Sequence, residues 1–425
     1  MLRHALPLLL CSMLAQTCAA ADAAADPALV AAIAAIKAVD NHAHALPASE
    51  PDAVDPTDPL GRTAFAYPVR LRVDNPEYGE AWRALYGYAH ADMSGDHPRE
   101  ALRAKLDLMR KKGQRYPAWV LDQAGIDIML VNNPVLGAGQ GAPRFLWVPT
   151  GDGLLFPFDV DNADIGALRR QIAIGAAPGT LDAYVANIVV PALRQWKAGK
   201  AVAVKFTAAY FRSLDFAAVE AADAAPIYAK LASSPSATQA PAQLKTLQDY
   251  LFRTIAAEAG RLGLPVHIHT GVGADPYFDI GGSNPLLLEA AFNDPALRHT
   301  RFVMIHGGWP FEREAGVMLL KPNVYADFSA QAFLRSTAAL SATLQDWLEF
   351  FPEKILFGTD AYSEETPLAN WEEKTWLTTR TARAALALAL TRMMAAGQIT
   401  RPRAEQLARM VLRDNALRLY GLGGP

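Results

Sequence analysis

The sequence predicts an α/β protein, a (β/α)8 TIM barrel with a helical insertion after its first strand and additional helices at its C-terminus. From residue 36 onward, eight short apolar runs alternate with longer Ala- and Leu-rich amphipathic stretches. Such alternation indicates parallel strands joined by right-handed helical crossovers. Eight strands suit a closed barrel of roughly 250 residues plus insertions, and a doubly wound open sheet is the competing architecture.

The strand candidates are short, and several are almost entirely apolar, as expected of strands that are buried on both faces. In chain order they are Ala38–His44, Ile126–Asn132, Phe145–Pro149, Ala201–Phe206, Pro265–His269, Phe302–His306, Val324–Phe328 and Ile355–Thr359. The helix candidates between them are Leu181–Lys197, Gln243–Leu262, Pro285–Ala291, Phe311–Leu320 and Ala338–Phe350.

The barrel domain is assigned to residues 36–425, and residues 21–35 are assigned to a linker with a leading helix. An insertion at residues 45–121, rich in Pro, Asp, Tyr and Arg, separates the first two strand candidates. We expect it to form a helical cap beside the barrel mouth. Residues 151–179 form a second, loop-rich excursion, and residues 371–422 are expected to add two or three helices that close the barrel.

The first twenty residues, 1–20, have the features of a secretory signal peptide. Arg3 supplies a positive charge, residues 5–14 form a short apolar stretch, and small residues follow, with cleavage expected near Ala20 or Ala21. The apolar stretch is shorter than the ~20 residues of a membrane span; an uncleaved N-terminal anchor is the alternative. We therefore expect a bacterial protein that is periplasmic or secreted, with no stable membrane insertion after cleavage.

Composition narrows the functional classes further. Both cysteines, Cys11 and Cys18, lie in the predicted signal peptide, so the exported chain would have no disulfide, no cysteine nucleophile and no thiolate-bound metal. Forty Lys and Arg face 43 Asp and Glu, for a net charge of −3. That balance provides no basic surface for nucleic acid. The expected partner is a small-molecule substrate, and a homo-oligomer remains open.

Polar side chains gather at the predicted C-terminal ends of the strands. They are His42 and His44 on the first strand, His267 and His269 on the fifth, His306 at the end of the sixth and Asp360 after the eighth. The two-residue spacing within each histidine pair places both imidazoles on one face of a strand. In a barrel that face is the lumen, and the C-terminal mouth is where barrel active sites lie.

Neutral imidazole and carboxylate groups hold Zn²⁺, Mn²⁺ or Fe²⁺ where thiolate is absent. The alternative for any one of these histidines is an ordinary buried side chain whose hydrogen bonds are satisfied. A set of strand-terminal histidines with a strand-terminal aspartate favours the metal. The sequence therefore predicts a divalent metal site at the barrel mouth, with Zn²⁺ as the expected ion and one or two ions per chain.

Lys205 lies late in an otherwise apolar strand candidate, and a bare ammonium in a barrel lumen is costly unless it is paired. Three interpretations are open. The side chain forms a structural ion pair with Asp360 or another carboxylate, or it binds an anionic group of the substrate. Alternatively, it is carbamylated by CO₂ and bridges two metals, because burial depresses the pKa of a lysine and makes the amine nucleophilic.

Taken together, these residues resemble the amidohydrolase superfamily, with HxH on the first strand, Lys on the fourth, His on the fifth and sixth, and Asp on the eighth. The phrases His267-Ile268-His269-Thr270-Gly271, His306-Gly307-Gly308 and Phe357-Gly358-Thr359-Asp360 are similar to its amidohydrolase-2, or amidohydrolase-related, branch. The segment from Lys205 to Arg212 is similar to the amidohydrolase half of glutamine-synthetase-fused proteins. The resemblance runs from about residue 38 to residue 422.

The resemblance implies roles for individual residues. The implied metal ligands are His42, His44, Lys205 as a bridging carbamate, His269, His306 and Asp360. Asp360 would also move the proton, and His306 would contact either a second metal or the substrate. Among residues near the mouth, the expected substrate contacts are Tyr210, Arg212, His267 and Trp309, although His267 has no role in the common pattern of the family.

The implied activity is metal-assisted hydrolysis of an amide, peptide-like, ester or lactone carbonyl. A non-oxidative decarboxylase of aromatic or unsaturated acids is the first alternative, because the same branch contains such enzymes and they mostly use one metal. A barrel that binds a ligand without catalysis is the second alternative. A barrel without catalysis is expected to lack some of the metal ligands, whereas all the expected metal ligands are present in this sequence.

Overall fold

The computed structural model describes residues 24–45, 68–160, 162–233, 241–274, 276–363 and 366–423. The predicted signal peptide lies outside the described residues, as do residues 21–23 of the predicted linker and residues 46–67 of the predicted insertion.

All eight predicted strands are present, each confined to part of its predicted range. They are β1 (Ala38–Ala43), β2 (Ile126–Val131), β3 (Phe145–Trp147), β4 (Val204–Phe206), β5 (Val266–His269), β6 (Phe302–Ile305), β7 (Val324–Asp327) and β8 (Ile355–Leu356). Neighbouring strands pair in parallel, in the orders β1-β2-β3 and β4-β5-β6-β7-β8.

Backbone hydrogen bonds join the two runs of strands at both seams. Between β3 and β4, the Lys205 amide donates to the Pro149 carbonyl at 2.9 Å. Between β8 and β1, the Asn41 amide donates to the Phe357 carbonyl at 2.8 Å, and an isolated bridge pairs His44 with Tyr362. The predicted (β/α)8 barrel is therefore confirmed in preference to the doubly wound sheet.

Helices follow most strands and extend the chain beyond the barrel. They are α1 (Pro27–Ala35), α2 (Pro76–Tyr86), α3 (His97–Lys112), α4 (Tyr116–Ala124), α5 (Ala163–Gln171), α6 (Leu181–Tyr184), α7 (Val190–Ala198), α8 (Ala221–Ser233), α9 (Pro241–Arg261), α10 (Glu289–Phe292), α11 (Glu312–Met318), α12 (Gln331–Leu334), α13 (Thr337–Phe350), α14 (Trp371–Ala395), α15 (Arg401–Arg409) and α16 (Asn415–Tyr420). Among the described residues, no helix combines the length and apolar character that crossing a membrane requires.

Helices α5, α8 and α12 were not predicted, and α8 is the longest of them. It contains Pro226, which removes a helical hydrogen bond and normally argues against a helix interior. Its buried face, formed by Ala224, Tyr228 and Leu231, packs into the core, and this burial offsets the local cost.

The interior of the barrel is closed from below by the C-terminal helix. A cluster of inward-facing side chains, including Val39, Leu130 and Val303, packs against Ala416 and Leu419 of α16. Polar lumen residues therefore lie above an apolar plug, on the side where the strands end. This arrangement positions the candidate site at the C-terminal mouth.

The described part of the insertion is helical and is anchored to α14 by a buried ion cluster. The ammonium of Lys105 in α3 lies 3.1 Å from Glu372 Oε2 and 2.9 Å from Glu373 Oε1, and it donates to the Pro367 carbonyl at 2.7 Å. Tyr86 in α2 donates to Glu373 Oε1 at 2.6 Å. The lysine and both glutamates are almost fully buried, so one ammonium serves two carboxylates.

Lys105→Ala is expected to lower the free energy of unfolding by about 3–5 kcal/mol, because two buried carboxylates lose their compensating charge. Urea unfolding of the purified protein measures the change. Lys111→Ala, at an exposed position of the same helix, is the matched control and should change stability by no more than about 0.5 kcal/mol. Equal effects of the two substitutions would show that the cluster does not anchor the insertion.

Candidate metal centre

Three side chains from the two ends of the barrel sequence meet at the mouth. The ligand atoms of His42, His44 and Asp360 all lie within 4.8 Å of one another. Asp360 Oδ1 is 3.3 Å from His42 Nε2 and 3.5 Å from His44 Nε2. Because β1 and β8 are neighbours in the closed barrel, residues at or after the ends of these two strands share one site although they are far apart in sequence.

Lys205 joins this group from β4. Its ammonium lies 3.2 Å from His42 Nε2, and the side chain is buried. Burial lowers the pKa of Lys205 to about 8, against the opposing effect of the carboxylates of Asp360, Asp327 and Asp152. No described carboxylate oxygen lies within ion-pair distance of the ammonium. Of the three interpretations of Lys205, the geometry therefore does not favour a direct structural ion pair.

His269 and His306 lie beside the three-residue cluster. Nδ1 of His306 is 3.9 Å from Asp360 Oδ2, and its ring centroid is 5.4 Å from that of His42. The His269 ring is 4.6 Å from the His306 ring, and His269 Nε2–H donates to the Val272 carbonyl at 3.0 Å. The structure therefore brings His306 next to Asp360 and leaves His269 one ring further away.

Protonation states in the site suit a cation. Burial is the main cause that lowers the pKa of His44 to about 4 and that of His42 well below its usual value, with the charge of Lys205 adding to both. These imidazoles are therefore neutral at pH 7, with lone pairs available for a ligand bond. Burial also raises the pKa of Asp360 to about 8, and Asp327 and Asp40 add to the rise while Lys205 opposes it.

The donor set fits a divalent metal. His44 Nδ1–H donates to the Asn132 carbonyl at 2.8 Å, which leaves the Nε2 lone pair directed at the cluster. Orientation of a ligand imidazole by a backbone carbonyl is typical of metal sites. Two neutral imidazoles and a carboxylate of raised pKa would all be stabilised by a positive ion at their centre.

A hydrogen-bond chain orients His306. Asp327, at the end of β7, accepts from the His306 amide at 2.9 Å and from Ser329 Oγ at 2.6 Å. Because the Ser329 proton is given to Asp327, Ser329 Oγ accepts from Nδ1–H of His306 at 2.9 Å. The Nε2 of His306 is thereby left with a lone pair. Asp327 was not predicted as a site residue, although its position at a strand end is the same signal that identified Asp360.

Asp40 supports the first-strand histidines in a similar way, and it too was not predicted as a site residue. Its carboxylate accepts from Thr359 Oγ1 at 2.6 Å and from the His42 amide at 3.2 Å. Complete burial raises its pKa to about 7 despite these hydrogen bonds. Asp40 thus connects the end of β1 to the segment after β8. The sequence feature that could have identified it is its place at the start of the Asp40–His44 motif.

The backbone is strained at two of the site residues. His306 and Asp360 have φ angles of 68° and 53°, in the left-handed region that non-glycine residues rarely adopt. Each is held by a buried hydrogen bond of its own amide, from His306 to Asp327 and from Asp360 to the His42 carbonyl at 2.7 Å. Strain of this kind clusters at functional sites, which supports a role for both residues.

His267 lies below the site instead of facing a substrate, which corrects its predicted role. It is fully buried, and Nε2–H donates to the Tyr420 hydroxyl of α16 at 2.6 Å. Tyr420 donates in turn to Asn41 Oδ1, and Asn41 Nδ2 donates to Asp327 Oδ2 at 2.7 Å. The two-residue spacing correctly predicted that His267 faces the lumen with His269. His267 lies deeper in the barrel than His269, however, and so does not reach the mouth. A buried hydrogen-bond chain therefore links the C-terminal helix to the site.

Tyr420→Phe is expected to lower the free energy of unfolding by about 1–3 kcal/mol, because Asn41 Oδ1 and His267 Nε2–H both lose a buried partner. We also expect kcat to fall more than KM changes, since Asp327 would be less well positioned. Tyr325→Phe is the control, because Tyr325 makes no side-chain hydrogen bond among the described residues. Urea unfolding and steady-state kinetics measure both effects, and identical behaviour of the two variants would contradict this role.

Arg212 and Trp309 do not reach the cavity at the mouth, which corrects two further expected substrate contacts. The Arg212 guanidinium is occupied by Asp249 at 2.6 Å and by the Asp215 carbonyl at 2.8 Å. Trp309 contributes its backbone carbonyl, which accepts from the Val272 amide at 2.7 Å. The sequence around Arg212 and Trp309 does not reveal these hydrogen-bond partners, since most of them come from other segments of the chain.

A cavity of about 430 Å³ opens above the cluster. Its floor includes His44, Lys205, His306 and Asp360. Tyr210, an expected substrate contact, lines one side, and its ring centroid is 4.8 Å from that of His269. The volume lies within the range typical of small-molecule sites, about 300–1,000 Å³.

Sequence comparison connects the C-terminal part of the chain, which contains His269, His306 and Asp360, to a known family. Residues 240–422 match the amidohydrolase family model. The chain is also similar to protein fluG of Emericella nidulans, with 29% identity over 202 residues. That match covers 46% of this chain and 22% of the relative, so the chain spans only a small part of the relative's length.

Structural comparison extends the likeness over nearly the whole chain. A crystal structure assigned to a metal-dependent hydrolase of Lactobacillus casei has a TM-score of 0.63 at 16% identity, covering 93% of this chain and 97% of that one. Uronate isomerase of Thermotoga maritima has a TM-score of 0.59 at 14% identity, covering 92% and 96%. At these identities the likeness shows the fold. The predicted resemblance is therefore confirmed: the chain is similar in sequence to the amidohydrolase family over residues 240–422, and it shares its fold with these two structures.

Proposed function

We propose that this protein is a metal-dependent hydrolase that attacks an amide, peptide-like, ester or lactone carbonyl. The observation that carries the proposal is the meeting of His42, His44 and Asp360, with Lys205 beside them, at an open cavity whose floor includes His44, Lys205 and Asp360. A bound divalent cation, with Zn²⁺ as the expected ion, would polarise the carbonyl and make water acidic enough to react near neutral pH.

The protein side chains would divide the remaining work. His42, His44 and Asp360 Oδ1 face one another and would hold the ion. Asp360 Oδ2 points towards His306 and is the atom that would take the proton from water as the water oxygen bonds to the carbonyl carbon. As the carbon–nitrogen or carbon–oxygen bond breaks, the same oxygen would return this proton to the leaving atom.

Metal analysis and a substrate screen test the proposal. Mass spectrometry of the purified protein should find one or two divalent ions per chain, and a chelator should abolish hydrolysis of N-acyl amino acids, dipeptides or lactones. Activity that survives complete metal removal would contradict the proposal. One ion per chain together with CO₂ release from an aromatic or unsaturated acid would support the decarboxylase instead.

We further propose that the protein acts in the periplasm or outside the cell. The proposal is based on the charge, apolar stretch and small residues within positions 1–20. Fractionation of the producing bacterium and mass determination of the mature chain test it. A cytoplasmic protein that retains residues 1–20 would overturn it.

A further inference from the structure

One wall of the cavity above the candidate metal centre is apolar. Leu71, Ala330 and Phe333 form a small buried cluster, against which Leu334 and Tyr362 pack. All five line the cavity. They come from the 3-10 turn Val69–Leu71 of the insertion, from α12 and the residue before it, and from the segment after β8, so three separate parts of the chain contribute to one surface.

The described lining of this cavity has little to offer a substrate carboxylate. Among the described residues that line the cavity, only Lys205 has an ammonium or guanidinium group. That ammonium lies 3.2 Å from His42 Nε2. Cationic groups close to the wall are engaged behind it. Arg70 donates to Glu77 Oε2 at 2.6 Å, and the Lys374 ammonium lies 3.3 Å from the centre of the Tyr362 ring. Neither Arg70 nor Lys374 lines the cavity.

We infer that Leu71, Ala330, Phe333, Leu334 and Tyr362 form the subsite for an apolar group attached to the scissile carbonyl. The inference depends on the proposed hydrolase function and names its substrate class, carbonyl compounds with a branched aliphatic or aromatic acyl group. Transfer of apolar surface from water to such a wall favours binding by about fourfold for each methylene group. A charged acyl group would lose its hydration without gaining a partner there.

A series of N-acyl glycinamides tests the inference, because only the acyl group changes. For the metal-loaded protein, we expect kcat/KM for the isovaleryl and phenylacetyl compounds to exceed that of the acetyl compound by about 10- to 100-fold. The glutaryl compound, which adds a carboxylate, should not exceed the acetyl compound. Glutaryl or acetyl as the best substrate would overturn the subsite while leaving the hydrolase proposal intact.

Calorimetric binding of the same compounds separates the two proposals. If no compound is hydrolysed, the hydrolase proposal loses support, and the binding preference still tests the subsite. Tighter binding of the phenylacetyl compound than of the glutaryl compound would support the apolar wall. Equal or reversed binding would overturn it.

Substitutions locate the preference on the wall. Phe333→Ala and Leu71→Ala should each lower the phenylacetyl-to-acetyl ratio of kcat/KM by about tenfold. Phe333→Leu, which keeps an apolar side chain and protects against misfolding, should lower the phenylacetyl ratio more than the isovaleryl ratio. Phe350→Ala is the matched control, because this phenylalanine of α13 is 59% exposed and does not line the cavity. Unchanged ratios in the wall variants would contradict the inference.

Discussion

Asp360→Asn is expected to lower kcat by about 10²–10⁴-fold while the fold is retained. The amide has nearly the shape of the carboxylate, but it cannot take a proton from water or return one to a leaving group. It also cannot supply the negative charge that Asp360, 3.3 and 3.5 Å from His42 and His44, would offer to a bound cation. Steady-state kinetics, metal content and urea unfolding of the variant measure the three consequences separately.

Metal content distinguishes the two roles of this carboxylate. A variant that keeps its metal and loses kcat would assign the proton transfer to Asp360, whereas parallel loss of both would assign it a ligand role. Asp346→Asn, an exposed aspartate on α13, is the control and should leave kcat and metal content unchanged. Rates like those of the unsubstituted protein in Asp360→Asn would reject Asp360 as the group that moves the proton.

Lys205→Ala is expected to remove about one metal equivalent per chain. The buried amine, whose pKa is lowered to about 8, would attack CO₂ in its neutral form, forming an N–C bond and releasing a proton. The product is a carbamate anion, which can bridge two cations. Bicarbonate and a pH above 8 should therefore raise metal loading in the unsubstituted protein, and short carboxylic acids should partly restore the second metal in the variant.

Lys197→Ala, at an exposed position of α7, is the control for this experiment. Mass spectrometry under native conditions counts the metal ions and detects the added mass of CO₂. Unchanged metal content in Lys205→Ala, or no response to bicarbonate, would reject the carbamate and leave an anionic group of the substrate as the partner of Lys205.

Much of the fold could be predicted because it depends on local patterns. Apolar β-prone runs separated by amphipathic stretches identified all eight strands, and parallel strands with helical crossovers led to the closed barrel. Helices α5, α8 and α12 were not predicted, and α8 shows the limit of this reasoning. Pro226 is unfavourable within the helix, and burial of Tyr228 against distant residues compensates for it.

The sequence alone placed some of the site residues at the barrel mouth, because strand ends and two-residue spacing specify the face and the end of a strand. It therefore identified His42, His44 and Asp360 before any distance was known. The tertiary structure alone decided the depth of each side chain and its partner. It placed His267 against Tyr420 and paired Arg212 with Asp249. Depth and partnership depend on how strands are staggered and on contacts between remote segments, and local periodicity does not encode either of them.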